Sequence, residues 1–271
     1  MLSIILPLLA LFFAAPTQPS CNPIAGWEQV ASNKKLRFVV LGEMHGTNEM
    51  PQIFLDAVCQ TSGKRPVAVA LELPENGQSA INSFLASNGD SKAKQAFLAT
   101  DFWTNKFKDG RSSEAMFRLV DDLRRYYQEK KITAVIAFQP VIYSEHGSAE
   151  AYEKRMAEII TTKLPRKSTA LVLVGNVHAM RTKLVRPSTQ YLPMAGHLPK
   201  KETISFDIKS GAGSSAWVCT GPAKCGATVF GGKPGNTERG VQLIPAKNQP
   251  YDGQLFLGAP TTASPPQEQG Q

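Results

Sequence analysis

The chain has 271 residues, 42% of them apolar, enough to bury one core of ordinary size and most simply a single domain. Its formal charge of +8 is dispersed: Arg124-Arg125 follows Asp121-Asp122, and Lys154-Arg155 sits beside Glu153 and Glu158. Such interleaving reads as a solvated surface and argues against nucleic acid as a partner, because a nucleic-acid groove needs clustered cations and stacking aromatics.

Residues 1–20 contain no charged side chain and carry the apolar run Leu2 to Ala15. That run is short for a bilayer span and fits the apolar region of an export signal cleaved between Ala14 and Ser20. The expected location is periplasmic or secreted, with membrane contact only through the signal. A lipid anchor on Cys21 fits poorly, since Gln18-Pro19-Ser20 does not match a lipoprotein cleavage site. Four cysteines in an exported chain point to disulfides. Cys219 and Cys225 flank the turn-rich Thr-Gly-Pro-Ala-Lys, which leaves Cys21 with Cys59, and no CxxC pair supports a cysteine-bound metal.

The apolar run Leu36 to Leu41 reads as the first strand and Glu49 to Gln60 as a helix, with Asn48 and Glu49 capping it and complementing its dipole. Val67 to Leu73 is a second, almost continuously apolar strand, as buried parallel strands are. Helices are expected over Gly77 to Ala86, Ser91 to Ala99 and, with a strong amphipathic pattern, Ala115 to Lys130. Trp103, Phe107 and Arg111 lie in the linker before this last helix, where they either roof a pocket or pack and anchor. Ile132 to Phe138 is the third strand, Ala149 to Leu164 a helix, and Thr169 to Val174 the fourth strand. Beyond these, Thr203 to Ile208, Ala216 to Cys219 and Tyr251 to Leu257 read as strands, and Gly231 to Asn236 as loop. Alternating strands and helices imply an α/β fold: a mostly parallel sheet flanked by helices, with added C-terminal strands. One domain over 21–260 follows, with a disordered Pro/Gln/Ser-rich tail from Thr261.

The chemistry gathers where strands end. Gly42-Glu43-Met44-His45-Gly46 follows the first strand, Glu72 closes the second, and Gly175-Asn176-Val177-His178 follows the fourth. In one parallel sheet all of these emerge at the carboxyl edge, where open α/β sheets hold their sites. Glu43 and His45, two residues apart in extended chain, face the same side. A carboxylate beside an imidazole raises its basicity and fixes its tautomer, which makes a base for activating water. The same set, Glu43, His45, Glu72 and His178, also offers ligands for a divalent cation such as Zn, Mn or Fe. His146, after the third strand, reads as an exposed turn residue, and His197 as structural.

The strings Leu-Gly-Glu-Met-His-Gly-Thr-Asn-Glu, Ala-Leu-Glu and Gly-Asn-Val-His-Ala-Met-Arg resemble the superfamily of erythromycin esterases, ChaN haem-binding proteins and Tiki/TraB-type metalloproteases. Pro193 to Leu198, Ile204-Ser205-Phe206, Gly211 to Trp217 and Tyr251 to Leu257 extend the resemblance over about residues 37 to 258. It implies a hydrolase of an ester, lactone or peptide bond acting on a small-molecule or peptide substrate. His45 would be the base, Glu43 its partner, Glu72 a second acid/base or metal-binding carboxylate, and His178 a stabiliser or metal ligand. Arg181, Asn176 and Arg111 are the candidate substrate-binding residues, with Arg181 holding an anionic group. The resemblance carries an alternative, haem- or iron-binding uptake, for which Tyr143 near His146 is the suggestive pair.

Overall fold

A computed structural model describes residues 21–141, 146–221, 224–230, 238–245 and 248–268. The export-signal segment 1–20, Tyr143 and the loop 231–236 lie outside the described residues. In chain order the elements are α1 (Trp27–Ala31), β1 (Phe38–Glu43), α2 (Glu49–Ser62), β2 (Val67–Pro74), a 3-10 turn (Glu75–Gly77), α3 (Gln78–Ala86), α4 (Ser91–Leu98), α5 (Asp101–Thr104) and α6 (Glu114–Gln128). Then follow β3 (Ile132–Gln139), α7 (Ala149–Lys163), β4 (Thr169–Gly175), β5 (Leu184–Arg186), β6 (Thr189–Tyr191), α8 (Met194–His197), β7 (Thr203–Lys209), β8 (Ser215–Cys219), β9 (Cys225–Val229), β10 (Gly240–Leu243) and β11 (Gly253–Phe256).

Seven strands form one sheet in the order β10-β11-β7-β1-β4-β2-β3, parallel except for β10. The winding explains where the helices go. From β1 to β2 to β3 the chain moves one way across the sheet with its helices on one face. From β3 to β4 to β7 it moves back, and a right-handed crossover then requires the opposite face. The core divides accordingly: Val39 and Leu41 of β1 pack with α2, α3 and α6, whereas Phe38 and Val40 pack with Tyr152, Met156 and Ile160 of α7 and Met194 of α8. Both faces of the sheet are covered, which is why β1 and β4 are buried along their whole lengths.

Trp103 belongs to this core rather than to a pocket roof: its ring meets Phe97, Phe102 and Phe117 at centroid distances of 5.6, 5.0 and 5.9 Å. Phe107 is exposed. Both disulfides form as the sequence indicates, Cys21 with Cys59 and Cys219 with Cys225. The first engages the Cys21 sulfur that a lipid anchor would need. The second closes the β8–β9 hairpin, one of two small antiparallel pairs outside the main sheet; the other, β5–β6, carries little apolar patterning. Among the described residues, no helix is long and apolar enough to cross a membrane.

Of the tail expected to be disordered, residues 261–268 are described and depart from that expectation. Residues 261–268 run as a strap across the loop after β1 and the start of α6. Ser264 N–H donates to Gly46 O at 2.8 Å, Asn48 N–H to Thr262 O at 3.0 Å, Glu114 N–H to Pro265 O at 2.9 Å and Gln267 N–H to Ser112 O at 2.9 Å. Asn48 does not cap α2 with its side chain as expected but serves the strap: its amide reaches Thr262 and Ala263, and the Glu49 carboxylate, in the first turn of α2, takes the Thr262 N–H at 2.8 Å and hydroxyl at 2.7 Å. Composition suggested disorder because little here is apolar; the backbone is instead ordered by hydrogen bonds and by the burial of Thr261 and Ser264. Deleting 261–271 removes these hydrogen bonds and, at about 0.5–1 kcal/mol net for each, is expected to cost roughly 4–8 kcal/mol, lowering Tm by roughly 10–30 °C in thermal melts.

Candidate active site

The loop after β1 is shaped by its neighbours. Gly46 sits at φ 74°, and a Cβ there would come within 2.2 Å of Trp217 O, so only glycine fits. Its carbonyl accepts from Trp217 N–H and Ser264 N–H, each at 2.8 Å. Hairpin β8–β9 and the strap thereby fix the turn that carries His45. After β4 the chain turns at once: Asn176 N–H donates to Glu43 O at 2.9 Å, and His178 N–H to Gly175 O at 2.9 Å. The β1–β4 register, which aligns Glu43 with Gly175, brings the two motifs side by side.

The four expected groups meet, joined by a fifth. His45 Nδ1 lies 2.9 Å from Glu43 Oε1, and His45 Nε2 lies 3.4 Å from Glu72 Oε2. On the other side His178 Nε2 lies 3.9 Å from Glu72 Oε1, and His178 Nδ1 is held by Glu153 at 2.7 Å. The result is an alternating row of carboxylate and imidazole, Glu43, His45, Glu72, His178, Glu153, hydrogen-bonded at its two ends and held at the centre by ion-pair contacts with Glu72. The carboxylates are buried, at 3%, 7% and 3% exposure for Glu43, Glu72 and Glu153, while His45 and His178 keep 23% and 25% exposed. Gly175 leaves the room for this, since a Cβ there would stand 3.0 Å from His45 Nε2 and 3.5 Å from Glu72 Oε2.

Charge is shared along the sequence. Burial opposes an ionised Glu72, but the charges of His45, His178 and Arg111 outweigh it and hold its carboxyl well below the usual carboxylate range. Gly175 N–H adds a bond to Oε2 at 2.8 Å, and Arg111 Nη1 stands 3.6 Å from Oε1. Burial likewise opposes a charged His45, yet the Glu72 charge and the hydrogen bond with Glu43 raise its pKa to about 10. His178 is raised as well, burial being overcome by Glu72 and Glu153. At neutral pH the resting His45 therefore holds its proton. The second oxygen of Glu43, Oε2, is buried with no hydrogen-bond partner in the protein.

The substrate-binding candidates divide. Arg111 enters the site, paired with Asp109 at 2.5 Å and facing Glu72. Asn176 takes part through its backbone, its carbonyl accepting the Tyr251 hydroxyl at 2.8 Å. Arg181 is a correction: its guanidinium is engaged by Asp252 at 2.5 Å, by Thr203 O at 3.0 Å and by Lys200 O at 2.9 Å. The residues after Gly175 form a tight turn, which carries Arg181 toward Asp252. His197 is structural, bonded to Leu192 O at 3.0 Å, and His146 is half-buried with its ring 5.7 Å from that of Tyr152. Glu153 was read only as part of a charged surface. The signal was its place on the apolar stripe of α7, three and seven residues before the buried Met156 and Ile160.

As they stand, the donors are engaged with one another rather than arranged around a divalent cation. Among the described residues no three of His, Cys, Asp and Glu are grouped to hold one. Each imidazole has Nδ1 on its own carboxylate and Nε2 toward Glu72, both rings favour the protonated state, and Arg111 already stands against the shared carboxylate.

No protein-family model and no curated protein matches the sequence. Solved structures do match in fold. A point variant of the erythromycin esterase EreC in its open conformation superposes with a TM-score of 0.54 at 11% identity, over 85% of this chain and 90% of that one. A Bacillus cereus protein gives 0.51 at 10% identity, over 93% and 96%. ChaN of Campylobacter jejuni, with haem bound cofacially, gives 0.47 at 10% identity, over 77% and 92%. The chain thus shares its fold with an erythromycin esterase, as its motifs suggested.

Proposed function

We propose that this chain is an exported hydrolase that opens an ester, lactone or peptide bond with water activated at His45. The observation that carries this reading is the Glu43–His45–Glu72–His178–Glu153 sequence at the carboxyl edge of the sheet, partly open to solvent through its two imidazoles. A carboxylate on Nδ1 leaves Nε2, the less tightly held nitrogen of His45, to accept a proton from water. Glu43 Oε2, buried and without a partner, is an unmet acceptor that a bound water would satisfy. His178, raised toward its protonated form, and Arg111 supply positive charge for the oxyanion that forms as water adds to the carbonyl. The disulfides support an oxidising compartment, periplasmic or extracellular.

The test is a panel of aryl and alkyl esters, lactones and short peptides offered to the purified protein, with release of carboxylate followed by pH-stat. Turnover is expected on at least one class, and to persist after chelator treatment. A panel without turnover, together with stoichiometric haem uptake in a spectral titration, would replace the hydrolase with the uptake reading.

A further inference from the structure

We propose that Glu153 is the positioning residue for His178, fixing the imidazole with its proton on Nδ1 and its Nε2 turned to Glu72, so that His178 serves as a second proton-transfer group beside His45. Only the last clause rests on the hydrolase reading. Both Glu153 oxygens lie close to His178 Nδ1, at 2.7 and 2.8 Å, so the ring has no alternative partner on that side. Oε2 also accepts the Met194 N–H at 2.8 Å, while Ala195 N–H donates to His178 O at 3.0 Å. Ring and backbone of His178 are thereby clamped between α7 and α8. Glu153 stands to His178 as Glu43 stands to His45, one from the helix layer and one from the sheet. A carboxylate left only 3% exposed on the apolar face of a helix is costly to keep, and the Met194 N–H alone would be served by a neutral amide. What only the charge supplies is control of the imidazole: its tautomer, its orientation and its readiness to hold a proton. Two imidazoles that meet across one carboxylate, each with its own carboxylate behind it, suit a reaction needing proton removal from water and proton delivery to a leaving group.

The decisive experiment uses protein labelled with 15N in its histidines, as wild type, Glu153→Gln and Glu153→Asp. Long-range 1H–15N spectra are followed from neutral to alkaline pH so that the neutral ring is sampled. In wild type His178 should carry its proton on Nδ1. In Glu153→Gln that signature should give way to mixed tautomers while His45 keeps its pattern, and Glu153→Asp, which retains the charge and controls for folding, should restore it in part. On any ester the wild type hydrolyses, Glu153→Gln should lower kcat roughly 10- to 100-fold with KM little changed. An unaltered His178 pattern in folded Glu153→Gln would overturn the positioning role. A changed pattern with undiminished kcat would overturn the proton-transfer role. If no substrate is turned over by wild type, the hydrolase reading falls on its own, and the spectra still decide what Glu153 does to His178.

Discussion

Replacing His45 with Ala is expected to lower kcat/KM on a hydrolysed substrate by about 100- to 10,000-fold, the range for a lost general base. The loss should lie in kcat, because the groups that remain, Arg111, His178 and the backbone around Gly175, still surround the substrate, and KM should change little. His45→Gln is the sharper variant. It fills most of the same volume and can keep one contact to Glu43, so it isolates proton transfer from packing. Structure should survive either change, since His45 sits at the carboxyl edge of the sheet with its side chain 23% exposed, outside the two apolar cores. Full turnover by folded His45→Gln would show that another group activates the water.

The parallel sheet was legible because burial on both faces leaves a plain trace: Val67 to Leu73 and Ala170 to Val174 are almost unbroken apolar runs, and only parallel strands under helices need them. The site was legible where it lies on strand ends. A charged residue closing an apolar strand, as Glu72 does, has nowhere to go but the carboxyl edge. Strand order was not written in any local pattern. That β4 inserts between β1 and β2, bringing His178 to Glu72, follows from the reversal of winding after β3 and becomes visible only with the whole sheet.

Glu153 and Arg181 mark the limit from opposite sides. Glu153 is surrounded in sequence by Glu150, Lys154, Arg155 and Glu158, and this charge masks a position that α7 turns inward. Arg181 follows the second histidine motif closely, yet the turn sends it toward Asp252, whose partnership spans 71 residues and has no local signal. The strap is a third case. Its order comes from backbone groups that composition does not report, on Gly46, Asn48, Ser112 and Glu114. Residues held by hydrophobic pattern could be read in advance; those held by individual long-range polar contacts could not.

The pH dependence of hydrolysis is the other large effect, and its sign follows from His45. Glu72 and Glu43 raise the imidazole pKa to about 10, so below that pH most of the protein carries a proton where a base must accept one. Each unit of pH below the pKa cuts the competent fraction about tenfold, and kcat/KM should therefore climb roughly 100-fold between pH 7 and 9 before levelling near 10. The folded state should be checked by circular dichroism at each pH and the rate corrected with His45→Gln, which removes the contribution of free hydroxide. Glu43→Gln supplies the internal comparison: without the Glu43 carboxylate the imidazole loses one of the groups that raise it, so the rise should begin at lower pH while the plateau rate falls. A rate that is flat from neutral pH and declines on the alkaline side would reverse the assignment, making the protonated His45 the working form and an acid rather than a base.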